Sequence, residues 1–576
     1  MKKAAAILLV GLAPVAVRLA LLPWMPVPAP RLHDEFSHLL LADTIAHGRA
    51  VNPVHPQWPH FESMHILVKP LYASPYPPAQ GAVMALGQIA TGIPWAGVVV
   101  SVGLMCGAIV WMLQGWVSPR WALLGALLVA ARFGVTSYWM NSYYGGAVPA
   151  MAGALVLGAA GRMLRRRRWQ DAAMLGVGLA ILANSRPYEG LIFGMGVGAL
   201  LVWRLRKNVL QRKIILPVAA VLGVTAVAMG AWFAQYTGNP LVMPYEFFRA
   251  NFTEVPHLLF QNLRPTPVYY HHQTRDYYHK WEMLSYDAAR ANQPPRGLMD
   301  KLKVYTRFYA GPALGVALLA ALWGLRRWRV RWLLAIGALL GAALAVEVWH
   351  APHYAAPAMA VMVLLAIEGL RQLRQARWGR ISAGAVCVAS LAIPVWDGGF
   401  RVGDGRERED LLRRMAAYGN RHLLIVRYAP LHDSGDEWVY NGADIDGSPV
   451  VWAREMDAAG NRELVRYFAG REVWLVEPDV KPVRVTEYDP AAEVPRFGFV
   501  PLGSEGVAAV RSADEIRSRI LAGNPPNDLE CDEWNELFYR ATGIAGPDPA
   551  EGCYNTAGED DPVSFEKWFG WVQKFR

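Results

Sequence analysis

The residues with the greatest chemical capacity follow the first apolar run of the chain, beginning with His33-Asp34-Glu35-Phe36-Ser37-His38. Two adjacent carboxylates at the mouth of an apolar segment are partly withdrawn from water. Desolvation raises a carboxyl pKa toward the range of a general base. A plainer role also fits, because acids in a first helical turn complement the helix dipole and Phe36, Leu39, Leu40 and Ile45 recur at helical spacing. The stretch continues through His55, His60, Glu62, His65 and Lys69 to Tyr72-Ala73-Ser74-Pro75-Tyr76-Pro77-Pro78-Ala79-Gln80-Gly81. The histidines match no HExxH-type spacing. A divalent metal ion is a candidate cofactor here, with a hydrogen-bonded loop scaffold as the plainer account.

Three further groups carry ionisable or aromatic side chains between apolar runs. Arg186 and Glu189 share the turn Asn184-Ser185-Arg186-Pro187-Tyr188-Glu189-Gly190. Ionisable groups at membrane depth are costly and are paired or functional, so either an Arg186–Glu189 ion pair or an arginine facing a phosphate is expected. His350 and His353 flank Trp349-His350-Ala351-Pro352-His353-Tyr354, as interfacial hydrogen bonders or as contacts to an anionic headgroup, and Arg132 adds another cation. The third group is Tyr269-Tyr270-His271-His272 with Arg275 to Glu282, whose aromatics suit an interfacial belt as well as sugar contact. No Walker A loop, Rossmann fingerprint or nucleophile elbow is convincing. A group donor used by this protein would therefore be activated without a nucleotide site.

The elements that must position these residues are membrane spans. Of 576 residues, 53% are hydrophobic and 18% charged, against about 25% charged in soluble domains. Twenty-three Trp, 53 Gly and 40 Pro fit a bilayer protein. About eleven apolar runs reach toward the roughly 20 residues of a span: Ala4–Trp24, Gly81–Trp116, Trp121–Thr136, Gly145–Met163, Ala172–Ala183, Leu191–Trp203, Ile214–Tyr236, Phe308–Leu325, Trp332–Trp349, Tyr354–Ile367 and Ile381–Trp396. Gly81–Trp116 is long enough for two spans or for one span plus a surface helix; the charge pattern prefers one crossing. The first run is read as a span rather than a cleaved signal, being long for one.

The formal net charge of +10 is a topology signal rather than a nucleic-acid signature. Lys2–Lys3, Arg162 with Arg165–Arg168, Arg204 to Lys213, Arg326 to Arg331 and Arg371 to Arg380 all fall on the cytoplasmic side when the N-terminus is inside. The outer face then receives loops 26–78 and 237–305 and the tail, dividing the chain into a membrane domain at 1–396 and an outer domain at 397–576. In the tail, His422–Tyr428, Pro449–Trp452 and Val473–Glu477 read as strands and Asn461–Phe468 as a helix, a small α/β domain. Cys531 and Cys553 could pair in an oxidising compartment, whereas Cys106 and Cys387 lie in spans. The aromatic stretch Phe565 to Phe575 suits an interfacial helix or packing onto the tail.

An acidic pair after the first span, a helical first outer loop, many spans and an outer C-terminal domain resemble the GT-C glycosyltransferases, bacterial protein-mannosyltransferase and aminoarabinose-transferase types in particular. The resemblance covers roughly Met1 to Leu370. Its sharpest element is Asp34-Glu35, and Gln80-Gly81 and the Asn184–Gly190 turn are similar to segments of bacterial members. It implies an α-helical polytopic membrane fold, GT-C-like, of about eleven spans with an extracytoplasmic α/β tail. It implies a polyprenyl-phosphate-linked sugar as donor and an envelope glycan, lipid or protein as acceptor, in a bacterial inner membrane with a periplasmic tail. Asp34 would then be the catalytic base of an inverting transfer. Arg186, His350, His353 and Tyr354, with Lys69, would surround the phosphate. Glu35 would orient the acceptor or help hold a divalent ion, for which His55, His60 and Glu62 are further candidates. The histidine-rich first loop and this tail match no particular transferase. The rival class is a lipid or solute transporter, or an envelope scaffold, without chemistry. The transferase expectation requires Asp34, Arg186 and His353 to converge.

Overall fold

The computed structural model describes residues 3–291, 296–376, 378–392, 405–428, 432–480 and 482–491. Six helices are long and apolar enough to cross a membrane: Lys3–Ala20, Trp95–Trp116, Pro187–Leu210, Arg212–Thr237, Trp328–Ala345 and Pro352–Leu373. A seventh candidate is the pair Gly297–Tyr309 and Gly311–Gly324, bent by 107°. The apolar helices Ala147–Met163, Trp169–Ala183 and Gly379–Ala392 are shorter. Leu216, Val224 and Val227 present 61 to 75% of their surface, as expected where the outside solvent is lipid. The chain is a multi-pass membrane protein.

Helix α1 (Lys3–Ala20) leads to α2 (His33–Ala46), α3 (Pro78–Thr91), α4 (Trp95–Trp116) and α5 (Pro119–Phe133). The long run Gly81–Trp116 is broken at Gly92, which takes the left-handed conformation (φ 77°) that ends α3. A side chain at Gly87 would overlap the backbone of Gly97, so only glycine lets the two helices approach at this turn. The Gln114 amide of α4 donates to the Lys3 carbonyl at 3.1 Å. At the other end, Trp95 of α4 donates to the Met140 carbonyl at 2.8 Å and Arg18 of α1 to Asn141 at 2.8 Å. Helices α1 and α4 are therefore antiparallel, and α3 lies at the end that carries Asp34. At the opposite end, Arg162 and Arg165 at the end of helix Ala147–Met163 and Arg329 at the start of helix Trp328–Ala345 donate to the carbonyls of Trp111 and Trp116. The basic clusters thus gather on one face and the site on the other.

Two arginines inside apolar helices hold together the helix ends on the Asp34 side. Arg18 is 1% exposed; besides Asn141 it donates to the carbonyls of Met25 and Pro26 at 2.7 and 2.9 Å. Arg132 donates to the carbonyls of Arg307 and Phe308 at 2.9–3.1 Å. It thereby caps the helix that ends at Tyr309, beside Gly311 (φ 57°) where the chain bends. Both buried guanidiniums are occupied by backbone oxygens rather than available to a ligand.

The tail forms a four-stranded sheet of order β2-β1-β3-β4, with β1 His422–Val426, β2 Val450–Arg454, β3 Glu472–Glu477 and β4 Arg484–Glu487. β1 pairs parallel to β2 and β3, and β4 runs antiparallel to β3. Helix Ala458–Tyr467 lies between β2 and β3 in sequence. The expected strands and helix are present, together with the unforeseen β4. The sheet shares a hydrophobic core with the segment between α1 and α3, in which Leu40, Phe61, Ile66 and Tyr72 pack with Leu423, Ile425 and Val451. Arg408 stacks over Phe36 of α2 and over Trp452, 4.8 and 4.6 Å from their ring centres. Asp43 of α2 accepts from the Ala443 amide at 2.6 Å and from Gln88 at 2.7 Å. Tail and first loop are packed as one body around α2. The Cys531–Cys553 pair and the Phe565–Phe575 stretch lie outside the described residues.

Candidate active site

Helix α2 begins at a loop–helix junction that Glu35 builds. Its carboxylate accepts the backbone N–H groups of Arg31 at 3.0 Å, Leu32 at 3.2 Å and Tyr143 at 3.1 Å. Leu32 is the N-cap and has no acceptor of its own, so the Glu35 side chain satisfies donors that the helix leaves open. Glu35 is thus a clamp between the first loop and the Tyr143–Gly146 segment. It does not line the cavity, and the expected contact with acceptor or metal gives way to this capping. Glu35→Ala is expected to lower unfolding stability by about 2–3 kcal/mol, because three amides lose their acceptor; a denaturation titration in detergent measures it, and Glu35→Gln should recover part of the loss.

The clamp aims Asp34 into a cavity of about 1220 Å³. The Tyr76 hydroxyl donates to Asp34 Oδ1, and that of Tyr144 to Oδ2 at 3.2 Å. His33 Nδ1 lies 3.4 Å from Oδ2 and His65 Nε2 lies 3.9 Å from Oδ1. Burial alone would raise the Asp34 carboxyl. The Tyr76 hydroxyl, and the adjoining His65 and His33 rings in their protonated form, reverse the sign and hold it below the usual carboxylate range. The raised pKa expected from desolvation is therefore overturned by neighbours that the sequence could not place. Burial, opposed by Asp34, holds His38 down at about 4 and His65 at about 3, so both rings are neutral at pH 7. The phenols of Tyr76 and Tyr144 are pushed far up, first by burial and then by Asp34, and stay protonated donors.

The backbone around this carboxylate is shaped for close approach. His65 sits at φ 56°, a costly conformation for a residue with a Cβ. It is fixed by its N–H donating to the Tyr278 hydroxyl at 2.8 Å and by Ser37 donating to its carbonyl at 2.6 Å. Gly145 and Gly146 have φ of 85° and 110°, and a Cβ on either would overlap Gln80 or Trp139. They allow Tyr144 to reach Asp34.

Arg186, His350, His353 and Tyr354 line the same cavity as Asp34. The Arg186 guanidinium lies 4.5 Å over the Tyr354 ring and 3.8 Å from the Glu189 carboxylate, a loose pair. His353 Nδ1 is 3.0 Å from the Tyr138 hydroxyl. His38 stacks on Tyr76 at 4.5 Å. Sequence reasoning named neither Tyr76 nor Tyr144 as a site residue. The signal for Tyr144 was the Tyr-Gly-Gly run just before a span.

The structure does not bring the other candidates here. Lys69 points its Nζ over the Trp58 ring at 5.2 Å, outside the cavity. His55 reaches Asp446 at 3.1 Å and His60 the Arg454 carbonyl at 2.8 Å, both holding the first loop to the tail. Glu62 accepts from the Tyr270 amide at 3.3 Å. His55 and His60 were claimed by the loop–tail junction, which loop spacing alone does not reveal. Among the described residues the set that could hold a metal is His33, Asp34 and His65, whose ligand atoms lie within 4.8 Å of one another. His33 Nδ1 and His65 Nδ1 are buried without hydrogen-bond partners, which fits a ligand role.

Burial pushes the Glu62 carboxyl up to about 7, against Thr274 and Arg454. A carboxyl raised in the folded state binds more protons there than in the unfolded chain. The stabilisation is full below the ordinary glutamate pKa and disappears as pH rises through about 7. Unfolding measured at pH 5 and pH 8 should show a loss on the order of 3 kcal/mol at most, and Glu62→Gln should flatten that slope.

No family model and no curated protein matches the sequence. A similar solved structure is the crystal structure of the Archaeoglobus fulgidus oligosaccharyltransferase in complex with Zn and sulfate. It is 11% identical with a TM-score of 0.45, over 82% of this chain and 67% of that one.

Proposed function

We propose that the protein is a GT-C-type membrane glycosyltransferase that moves a sugar from a polyprenyl-phosphate donor to an acceptor hydroxyl. One observation carries this reading: a carboxylate held by two tyrosines and a guanidinium stacked on a tyrosine share a single cavity. Asp34 takes the acceptor O–H proton as that oxygen attacks the anomeric carbon. The bond from that carbon to the phosphate oxygen breaks, and the electron pair leaves on the lipid phosphate. Arg186 and His353, with His350 and Tyr354, meet the charge that develops there. Attack from the face opposite the phosphate inverts the anomeric centre. Asp34 is a weak base, and an oxocarbenium-like transition state asks little base strength of it. Leu191 and Leu298, 62% and 41% exposed, line the same cavity and give an apolar side on which a lipid chain can lie.

A divalent ion bound by His33, Asp34 and His65 would supply Lewis acidity beside the acceptor oxygen. Eleven crossings follow if the six long helices, the bent pair, the three shorter apolar helices and α5 (Pro119–Phe133) each span, with an inside N-terminus; the tail and cavity then face the periplasm of a bacterial inner membrane, where an envelope glycan, lipid or protein is the acceptor. Purified protein incubated with polyprenyl-phosphate sugars and membrane acceptors tests this. Transfer lost in Asp34→Asn at matched folding supports the assignment. Transfer unchanged by that substitution removes Asp34 as base, and no binding or turnover of any lipid-linked sugar returns the chain to the transporter or scaffold class.

A further inference from the structure

One recess of the cavity wall is used by none of these groups. Tyr245, Arg249, His257, Glu282 and Trp349 all line it. The Tyr245 ring lies 6.0 Å from that of Tyr76 and within 22° of parallel, so the recess begins one ring away from the group that holds Asp34. The His257 ring is 6.1 Å from both Tyr245 and Trp349. Behind them Arg249 donates to both oxygens of Glu282 at 2.7 and 3.1 Å, and its guanidinium lies 4.6 Å over Trp349. That ion pair is 1% and 2% exposed.

The walls are aromatic, yet their polar atoms are not satisfied. Among the described residues Trp349 Nε1, His257 Nδ1 and Arg249 Nε are buried without hydrogen-bond partners. Buried polar groups are normally paired, so three orphans in one recess call for a ligand rich in hydroxyls. We propose that this recess holds the transferred sugar as an uncharged pyranose. One C–H face of the ring stacks on the aromatic walls, and its hydroxyls pair with Trp349, His257 and the Arg249–Glu282 couple. The charge restriction follows from the ion pair. Arg249 is neutralised by Glu282, and the other cations of the cavity wall are engaged too, Arg186 by Glu189 and Lys301 by the carbonyls of Leu344 and Ala345, so a charged sugar would bring an unpaired buried charge, which is expensive. The nearby Glu246 is half exposed and lies 3.9 Å from Arg264.

The sugar's delivery by a lipid phosphate rests on the transferase reading; the recess itself does not. Two assays on the full-length protein in detergent separate them. In the first, methyl hexopyranosides that are neutral, acidic or amino-substituted are tested by saturation-transfer NMR. The neutral glycoside should bind, and Trp349→Phe, which keeps a ring and loses the N–H, should weaken it about tenfold. In the second, polyprenyl phosphate is compared with its hexosyl derivative. Trp349→Phe should weaken only the sugar-bearing lipid. Equal loss for both lipids, unchanged glycoside binding in Trp349→Phe, or charged glycosides binding as tightly as neutral ones overturns the proposal. Glycoside binding that is sensitive to Trp349→Phe in a protein that binds neither lipid sustains the recess and removes the donor reading.

Discussion

Asp34→Asn is expected to lower the transfer rate by about 10²–10⁴-fold, the range of a positioned general base, with donor affinity little changed. The amide oxygen still accepts from a tyrosine hydroxyl, so the site keeps its shape while losing its proton acceptor. The pH profile gives an independent reading of the same group. The surroundings of Asp34 hold its carboxyl below the ordinary carboxylate range. A base works only when ionised, so the acid limb of the rate should lie below that range and activity should stay flat through pH 5. An acid limb near pH 6 would mean that another group supplies the base. Asp34→Glu should remain impaired, because a longer side chain cannot keep both tyrosine contacts.

Arg186→Gln should cost about 10²–10³-fold in kcat, the effect of removing a donor from developing oxyanion charge, and should also weaken binding of polyprenyl phosphate. A complication comes from Glu189, whose side chain is 6% exposed and loses its charged neighbour. Breaking a buried pair by removing one partner can cost about 3–5 kcal/mol. The double variant Arg186→Gln with Glu189→Gln removes both charges and should fold like the wild type. If it regains stability but not turnover, the loss belongs to the phosphate. Full turnover in the double variant would make Arg186 a structural residue.

The pattern that sequence makes visible is the one that physics enforces over long runs. Apolar segments and the apolar runs of β1 to β3 are set by lipid and core, and each has its helix or strand in the structure. The Gly81–Trp116 run resolved at Gly92 and Pro94, residues that end one helix and begin another. The site was only half legible. Asp34, Arg186, His353 and Tyr354 announced themselves as ionisable or aromatic groups beside spans, and they line one cavity. Tyr76 and Tyr144 did not, because a tyrosine in a proline-rich stretch and one before two glycines look like interface residues until Asp34 is placed between them. His55, His60 and Glu62 looked like ligands because they were counted along a loop. The tail, some 390 residues further along the chain, takes two of them, and no local spacing encodes that. Glu35 fell to the helix-capping alternative, since three backbone amides compete for its oxygens more strongly than a ligand can.

The most direct test of the reaction is its stereochemistry. Wild-type protein is given a polyprenyl-phosphate hexose of defined anomeric configuration, and the product linkage is read by NMR coupling constants. Attack by an Asp34-activated hydroxyl opposite the leaving phosphate gives the inverted anomer, with one polyprenyl phosphate released for each sugar moved. A product of retained configuration, or sugar transferred without release of the lipid phosphate, would contradict the account.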